Sequence, residues 1–232
     1  MSSLSQMSQQ EYAEYLVTHN DNPNLTVYDL LTDRPEYRGY SSQERVDLYM
    51  NKRSETKGFT KQMEDLWLGL STNKEKGIEA IGASSGWTNF LVGKDNHTKG
   101  TTRYKSYATL NEPLSITNEE YTNFLKGLEG SGYNGQVKFP GIGSRALLSF
   151  DNIVMHGSTK EDAKLGESFS RSFFGNRITG TQFGEDGVGK SHTQLLSDWV
   201  VSERKKLTNP VDTPLDMLGK SSEFHPKVSV LK

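Results

Sequence analysis

Apolar side chains recur at helical spacing through the first third of the chain and again near its end. Met63, Leu66, Trp67 and Leu70 form one stripe, which predicts a helix over 61–70 with a single face on the core. Shorter helical stretches precede it. Residues 11–18 carry Tyr12, Tyr15 and Leu16, 27–31 are apolar, and 42–49 follow a Ser-Ser start. Apart from narrow stripes these segments are polar, so residues 1–82 read as a helical cap or partner surface. From Gly86 the period changes. Trp87, Phe90, Leu91 and Val92 predict a strand, and a polar turn with Asp95, Asn96, His97 and Gly100 follows. Residues 103–110 alternate, with Tyr104, Ala108 and Leu110 to one side and Arg103, Lys105 and Tyr107 to the other, which gives that strand one basic face.

Thr117 and Glu120 have the spacing of a capping box. Tyr121, Phe124, Leu125 and Leu128 continue one helix face until Gly130 and Gly132 end it. Residues 136–139 predict a short strand closed by Pro140. Residues 146–156 hold two apolar runs around Asp151-Asn152, read as a hairpin or one bulged strand. Thr159 and Asp162 start a helix with Leu165, Phe169 and Phe173, and 191–201 carry Leu195, Leu196, Trp199 and Val200 on a last helix. This order predicts an α+β fold, with a mixed or antiparallel sheet, packed helices and a helical N-terminal region. It divides into helices over 1–82, an α+β core over 83–206 and a loose tail over 207–232, in one domain overall.

Composition narrows the function classes. Lys and Arg number 27 against 29 Asp and Glu, so no whole-molecule field draws the chain to nucleic acid or to an anionic membrane. Any anion site must be local. The absence of cysteine removes disulfides, thiolate nucleophiles and cysteine-based zinc sites. Residues 1–10 lack the basic and then apolar order of a signal peptide, and no run reaches the ~18 apolar residues of a membrane helix. The expectation is a cytoplasmic protein, or one exported by a non-Sec route into a host cell.

One motif matches a known pattern letter for letter. Gly184, Gly189, Lys190 and Ser191 fit G-x-x-x-x-G-K-[ST], the loop whose amides and lysine cradle nucleotide phosphates. The segment before it speaks against that use, because 178–183 contain Thr, Gly, Thr and Gln where a buried parallel strand is nearly continuous aliphatic. No aliphatic run ending in a metal-binding Asp follows Ser191. A weaker "YRG" at 37–39 has the look of an ADP-ribosyltransferase arginine motif but lacks the later Glu-x-Glu pair, and is read as a loop.

A longer constellation runs from Gly86-Trp87 through "TRYKSYATL", "NEEYTNFLKGLE", "GQVKFP" and "RALLSFDNIVMHG". In this order the segments resemble the HopA effector family, which is linked to lyase components of lanthipeptide pathways. More distantly they are similar to phosphothreonine lyases such as OspF and SpvC. The resemblance covers about half the chain, and it departs from the lyases where their first strand carries a lysine and a histidine two apart; Arg103 and Lys105 stand there. It implies virulence-type phosphate β-elimination from phosphothreonine or phosphoserine, with no metal or organic cofactor. Lys138 would take the Cα proton, Arg103, Lys105 and Arg145 would hold the phosphate, and His156 or Tyr104 would donate a proton to the leaving oxygen. The implied partner is a phosphorylated peptide or protein, with a host protein or kinase as a possible target.

Each of these residues also has a structural reading. Lys138 alternates with Val137 and Phe139, as an outward strand lysine does, Arg145 can pair with Asp151, and His156 can simply close a strand. His97 and His192 read as surface residues. Three functions therefore enter: a HopA-like lyase or phosphopeptide-binding relative, a nucleotide-binding P-loop protein, and a non-enzymatic interaction module that uses its helical N-terminal third.

Overall fold

Four α-helices precede the first strand in the computed structural model, which describes residues 3–20, 22–73, 75–84, 86–93, 104–185 and 192–208. They are α1 (Gln9–Thr18), α2 (Val27–Thr32), α3 (Ser42–Asn51) and α4 (Arg53–Asn73). Local chemistry starts three of them. Ser8, Thr26 and Ser41 each accept from the backbone of Glu11, Asp29 and Glu44, whose carboxylates reach back to the capping residue. The same reciprocal box opens α5 (Asn118–Gly130) at Thr117 and Glu120, and α7 (Lys160–Phe174) at Thr159 and Asp162.

The strands are β1 (Ile78–Ser84), β2 (Trp87–Val92), β3 (Tyr104–Leu110), β4 (Gly135–Pro140), β5 (Ile153–Gly157) and β6 (Ile178–Glu185). They form one antiparallel sheet in the order β1-β2-β4-β5-β3-β6. The fold is α+β, as the order of elements predicts. One local reading is corrected. The apolar run at 146–148 is not a strand but part of the short helix α6 (Gly143–Leu148), and only the second run forms a strand, β5. Ala146 and Leu147 are buried there on one helical face, a burial that so short a run cannot distinguish from strand alternation.

Strand alternation divides the sheet into two unlike faces. Phe90, Val92, Ala108, Leu110, Val137, Phe139, Ile153 and Met155 share one face and are buried with side chains of α4, α5 and α7. Phe139 sits at the centre, its ring centroid 4.5 Å from Tyr121, 5.8 Å from Phe90 and 6.2 Å from Phe124. Gly166 lets α7 lie close, since a Cβ there would come within 3.0 Å of the Met155 sulfur.

The N-terminal third does not pack as a unit. Phe59, Met63, Leu66 and Leu70 of α4 belong to the main core, whereas Tyr12, Ala13 and Leu16 of α1 and Val27, Leu30 and Leu31 of α2 form a second cluster. That cluster closes around Leu196 and Val200 of α8 (His192–Thr208), from the other end of the chain. It is tied to the segment between α6 and β5 by main-chain bonds: Arg34 N–H donates to the Leu148 carbonyl and Phe150 N–H to the Thr32 carbonyl, 2.9 and 2.7 Å. The Arg34 guanidinium adds bonds to the carbonyls of Leu110 and Asn111. A boundary near residue 82 therefore cuts both clusters. α3 has no buried residue and leaves Val46 and Met50 each about half exposed (52%), but its Arg45 is ion-paired with buried Asp33.

Candidate active site on the polar face of the sheet

The opposite face of the sheet is the more polar one, carrying Asn89, Gln136, Lys138, His156 and Lys105 among Trp87, Leu91, Tyr107 and Val154. On it, Lys105 of β3 stands directly across from His156 of β5, and His156 across from Gln136 of β4. One step along, Lys138 of β4 lies between Asn89 of β2 and Val154 of β5. Directly opposed side chains start ~5 Å apart and diagonal ones ~7 Å apart, within easy reach of two lysines and an imidazole. Three nitrogen bases thus meet on one patch because β4, β5 and β3 are neighbours in that order. Gly135 permits the close β4–β5 approach beside them; a Cβ there would run into the His156 carbonyl.

Electrostatics report the same juxtaposition. Burial, then the nearby Lys138 and Lys105, push His156 down to about 3, so its imidazole is neutral at physiological pH. Burial, with Lys105, lowers the Lys138 ammonium as well. No carboxylate among the described residues enters either balance. The patch therefore holds like charges together in partial burial, an arrangement that favours a bound anion.

A hydrogen-bonded amide pair borders it. Asn89 is buried and gives its Nδ2 to the carbonyls of Gly82 and Trp87, 3.1 and 3.2 Å, which leaves Oδ1 to accept from Gln136 Nε2 at 3.3 Å. Neither residue was singled out from the sequence. Gln136 had a signal there, since it alternates with Lys138 in "GQVKFP" and must share its face.

Other expected site residues fall elsewhere. Tyr104 is on the same side of β3 as Ser106 and Ala108, facing away from Lys105, so it is not placed to protonate a leaving group held by the lysines. Arg145 is on α6, where its guanidinium lies over the Trp87 ring at 5.0 Å from the centroid. It shifts neither Lys138 nor His156; its charge acts on buried Asp151, whose carboxyl burial pushes up to about 7. The pairing of Arg145 with Asp151 survives as electrostatics, without the hairpin. His156 carries no acidic proton to donate in the empty site, because burial first and then the two lysines disfavour its charged form. Arg103 and His97 lie outside the described residues.

Gly184 lies in β6, opposite Lys105, in an antiparallel edge strand. A phosphate-binding loop instead leaves a buried parallel strand. Gly189, Lys190 and Ser191 lie outside the described residues. The "YRG" arginine is structural: Arg38 is buried over the Tyr12 ring at 4.6 Å and donates to the carbonyls of Leu4 and Met7. No group of three or more potential metal ligands occurs among the described residues. No helix among them is long and apolar enough to cross a membrane.

Compared with protein-family models, with curated proteins and with solved structures, the chain matches none.

Proposed function

We propose that this protein binds a phosphorylated peptide or protein at the Lys105–Lys138–His156 patch and acts there as a phospho-amino-acid lyase. The observation that carries the reading is the shared face of three bases on adjacent strands, with Lys138 and His156 both destabilised in their charged forms by burial and by neighbouring positive charge. A phosphate dianion is the ligand such a patch is matched to, because two lysines attract its charge and its oxygens can accept hydrogen bonds from all three nitrogen groups.

The chemistry follows from the same balance. Lys138, with its ammonium already disfavoured, takes the Cα proton of phosphothreonine or phosphoserine. The electron pair of that C–H bond becomes the second bond of Cα=Cβ, the Cβ–O bond breaks, and phosphate leaves. The charge of the bound dianion opposes both the burial cost and the lysines' effect on His156, so the imidazole takes a proton from solvent as substrate binds and hands it to the departing oxygen. Lys105 holds the phosphate charge throughout.

The decisive experiment incubates the protein with phosphothreonine peptides and follows loss of phosphoric acid by mass spectrometry, comparing wild type with Lys138→Ala. Elimination by the wild type alone supports the lyase. Peptide bound but unchanged by both leaves a phosphopeptide-binding protein, and no binding by either removes the phosphate site.

A further inference from the structure

We infer that a cleft at one end of the sheet binds a small organic cation with an apolar body, independently of the phosphate patch. The cleft holds about 250 Å³ between α4, the start of β2 and the turn after β4. Its walls are apolar: Met63 and Trp67 of α4, Trp87 of β2, and Ile142, which is half exposed. Trp67 gives its indole N–H to the Ile81 carbonyl at 3.0 Å, so it offers the cleft carbon and π surface and no free donor. Backbone builds the floor. Gly141 N–H donates to the Gly86 carbonyl at 2.7 Å, and a Cβ on Gly141 would come within 3.2 Å of the Trp87 carbonyl carbon, so the turn lies close against β2.

Size and charge select the ligand. A dry cavity of about 150 Å³ holds benzene, so this one has room for a ring with a short arm. Among the described residues Glu64 is the only charged one that lines it. Nearby Lys61 is already paired with Asp65 at 2.7 Å, which leaves the Glu64 carboxylate as the charge a ligand meets. An anion is repelled there, whereas an ammonium is attracted both by the carboxylate and by indole π faces. Trp87 already receives a cation in this way, since the Arg145 guanidinium lies 5.0 Å from its ring centroid.

The test follows the indole N–H resonances of Trp67, Trp87 and Trp199 by NMR as benzylammonium, benzyl alcohol and benzoate, one ring with three charges, are titrated separately. Trp199 lies on α8 against the second cluster and serves as the internal control. Saturable shifts of Trp67 and Trp87 are expected with Trp199 unmoved, benzylammonium binding about five-fold tighter than the alcohol and benzoate weakest of the three. Glu64→Gln, at an exposed position, should weaken benzylammonium about three-fold and leave the alcohol unchanged. Shifts that do not saturate, that move Trp199 equally, or that give affinities indifferent to charge overturn the inference. None of these readouts involves Lys105, Lys138 or His156, so the phosphate site stands or falls separately.

Discussion

Lys105 and His156 face one another across the β3–β5 ladder, a cationic side chain directly opposite an imidazole whose proton burial and two lysines have removed. An anion bound beside this pair would be attracted to Lys105 and would favour the protonated form of the imidazole.

Ligand binding should therefore take up protons. At pH 7 the empty site holds a neutral His156, and a bound dianion raises the imidazole back toward its ordinary range, so affinity is expected to increase as pH falls from about 8 toward 6, where phosphate monoesters themselves begin to protonate. Calorimetry in buffers of different ionisation enthalpy measures the uptake, which His156→Asn should abolish. Binding with no proton uptake in the wild type would contradict the coupling.

Removing one lysine should release the histidine. Lys138→Met takes away the larger of the two charge effects on His156, so the imidazole is expected to titrate at a higher pH in the variant, read from its NMR shifts. Phosphate affinity should drop at least about ten-fold in the same protein. An unmoved histidine would mean that the two side chains do not share the patch.

His156 and Asp151 pull stability in opposite directions with pH. The imidazole is depressed in the folded state, so its contribution is present above about 6.5 and is lost as pH falls toward 3. The Asp151 carboxyl is raised, so its contribution is present below about 3.8 and is lost as pH rises through about 7. Asp151→Asn should consequently stabilise the protein at pH 8, by up to about 2–4 kcal/mol, and do little near pH 4, measured by urea denaturation at both pH values. Equal effects at the two would refute a buried, ionising Asp151.

Arg145 should prove dispensable for phosphate. Because it lies over Trp87 and acts on Asp151, Arg145→Gln is expected to change tryptophan fluorescence and leave the affinity for inorganic phosphate within about two-fold. A loss as large as that of the Lys138 variant would restore it to the phosphate site.

The platform behind the site should be costly to disturb. Phe139 neighbours Lys138 in β4 and packs the opposite face among Phe90, Tyr121 and Phe124, so Phe139→Ala should destabilise by about 3–5 kcal/mol in denaturant. Thr117→Ala, which opens the α5 capping box without touching the core, should cost only about 1 kcal/mol.

By itself the sequence determined what depends on near neighbours along the chain. The helices announced themselves through capping pairs such as Thr117–Glu120 and Thr159–Asp162 and through stripes such as Met63, Leu66 and Leu70, because i to i+3 and i+4 spacing is enough to set both. Alternation likewise put Lys105 and Lys138 on the outward sides of their strands. Tertiary structure alone decided which strands are neighbours, since hydrogen-bonded pairing joins residues far apart in the chain and leaves no local trace. That pairing set His156 between the two lysines, while other long-range packing brought Arg145 to Trp87 and joined α1 and α2 to α8. The pKa changes follow from it too, because burial and charge proximity exist only once the strands and helices have come together.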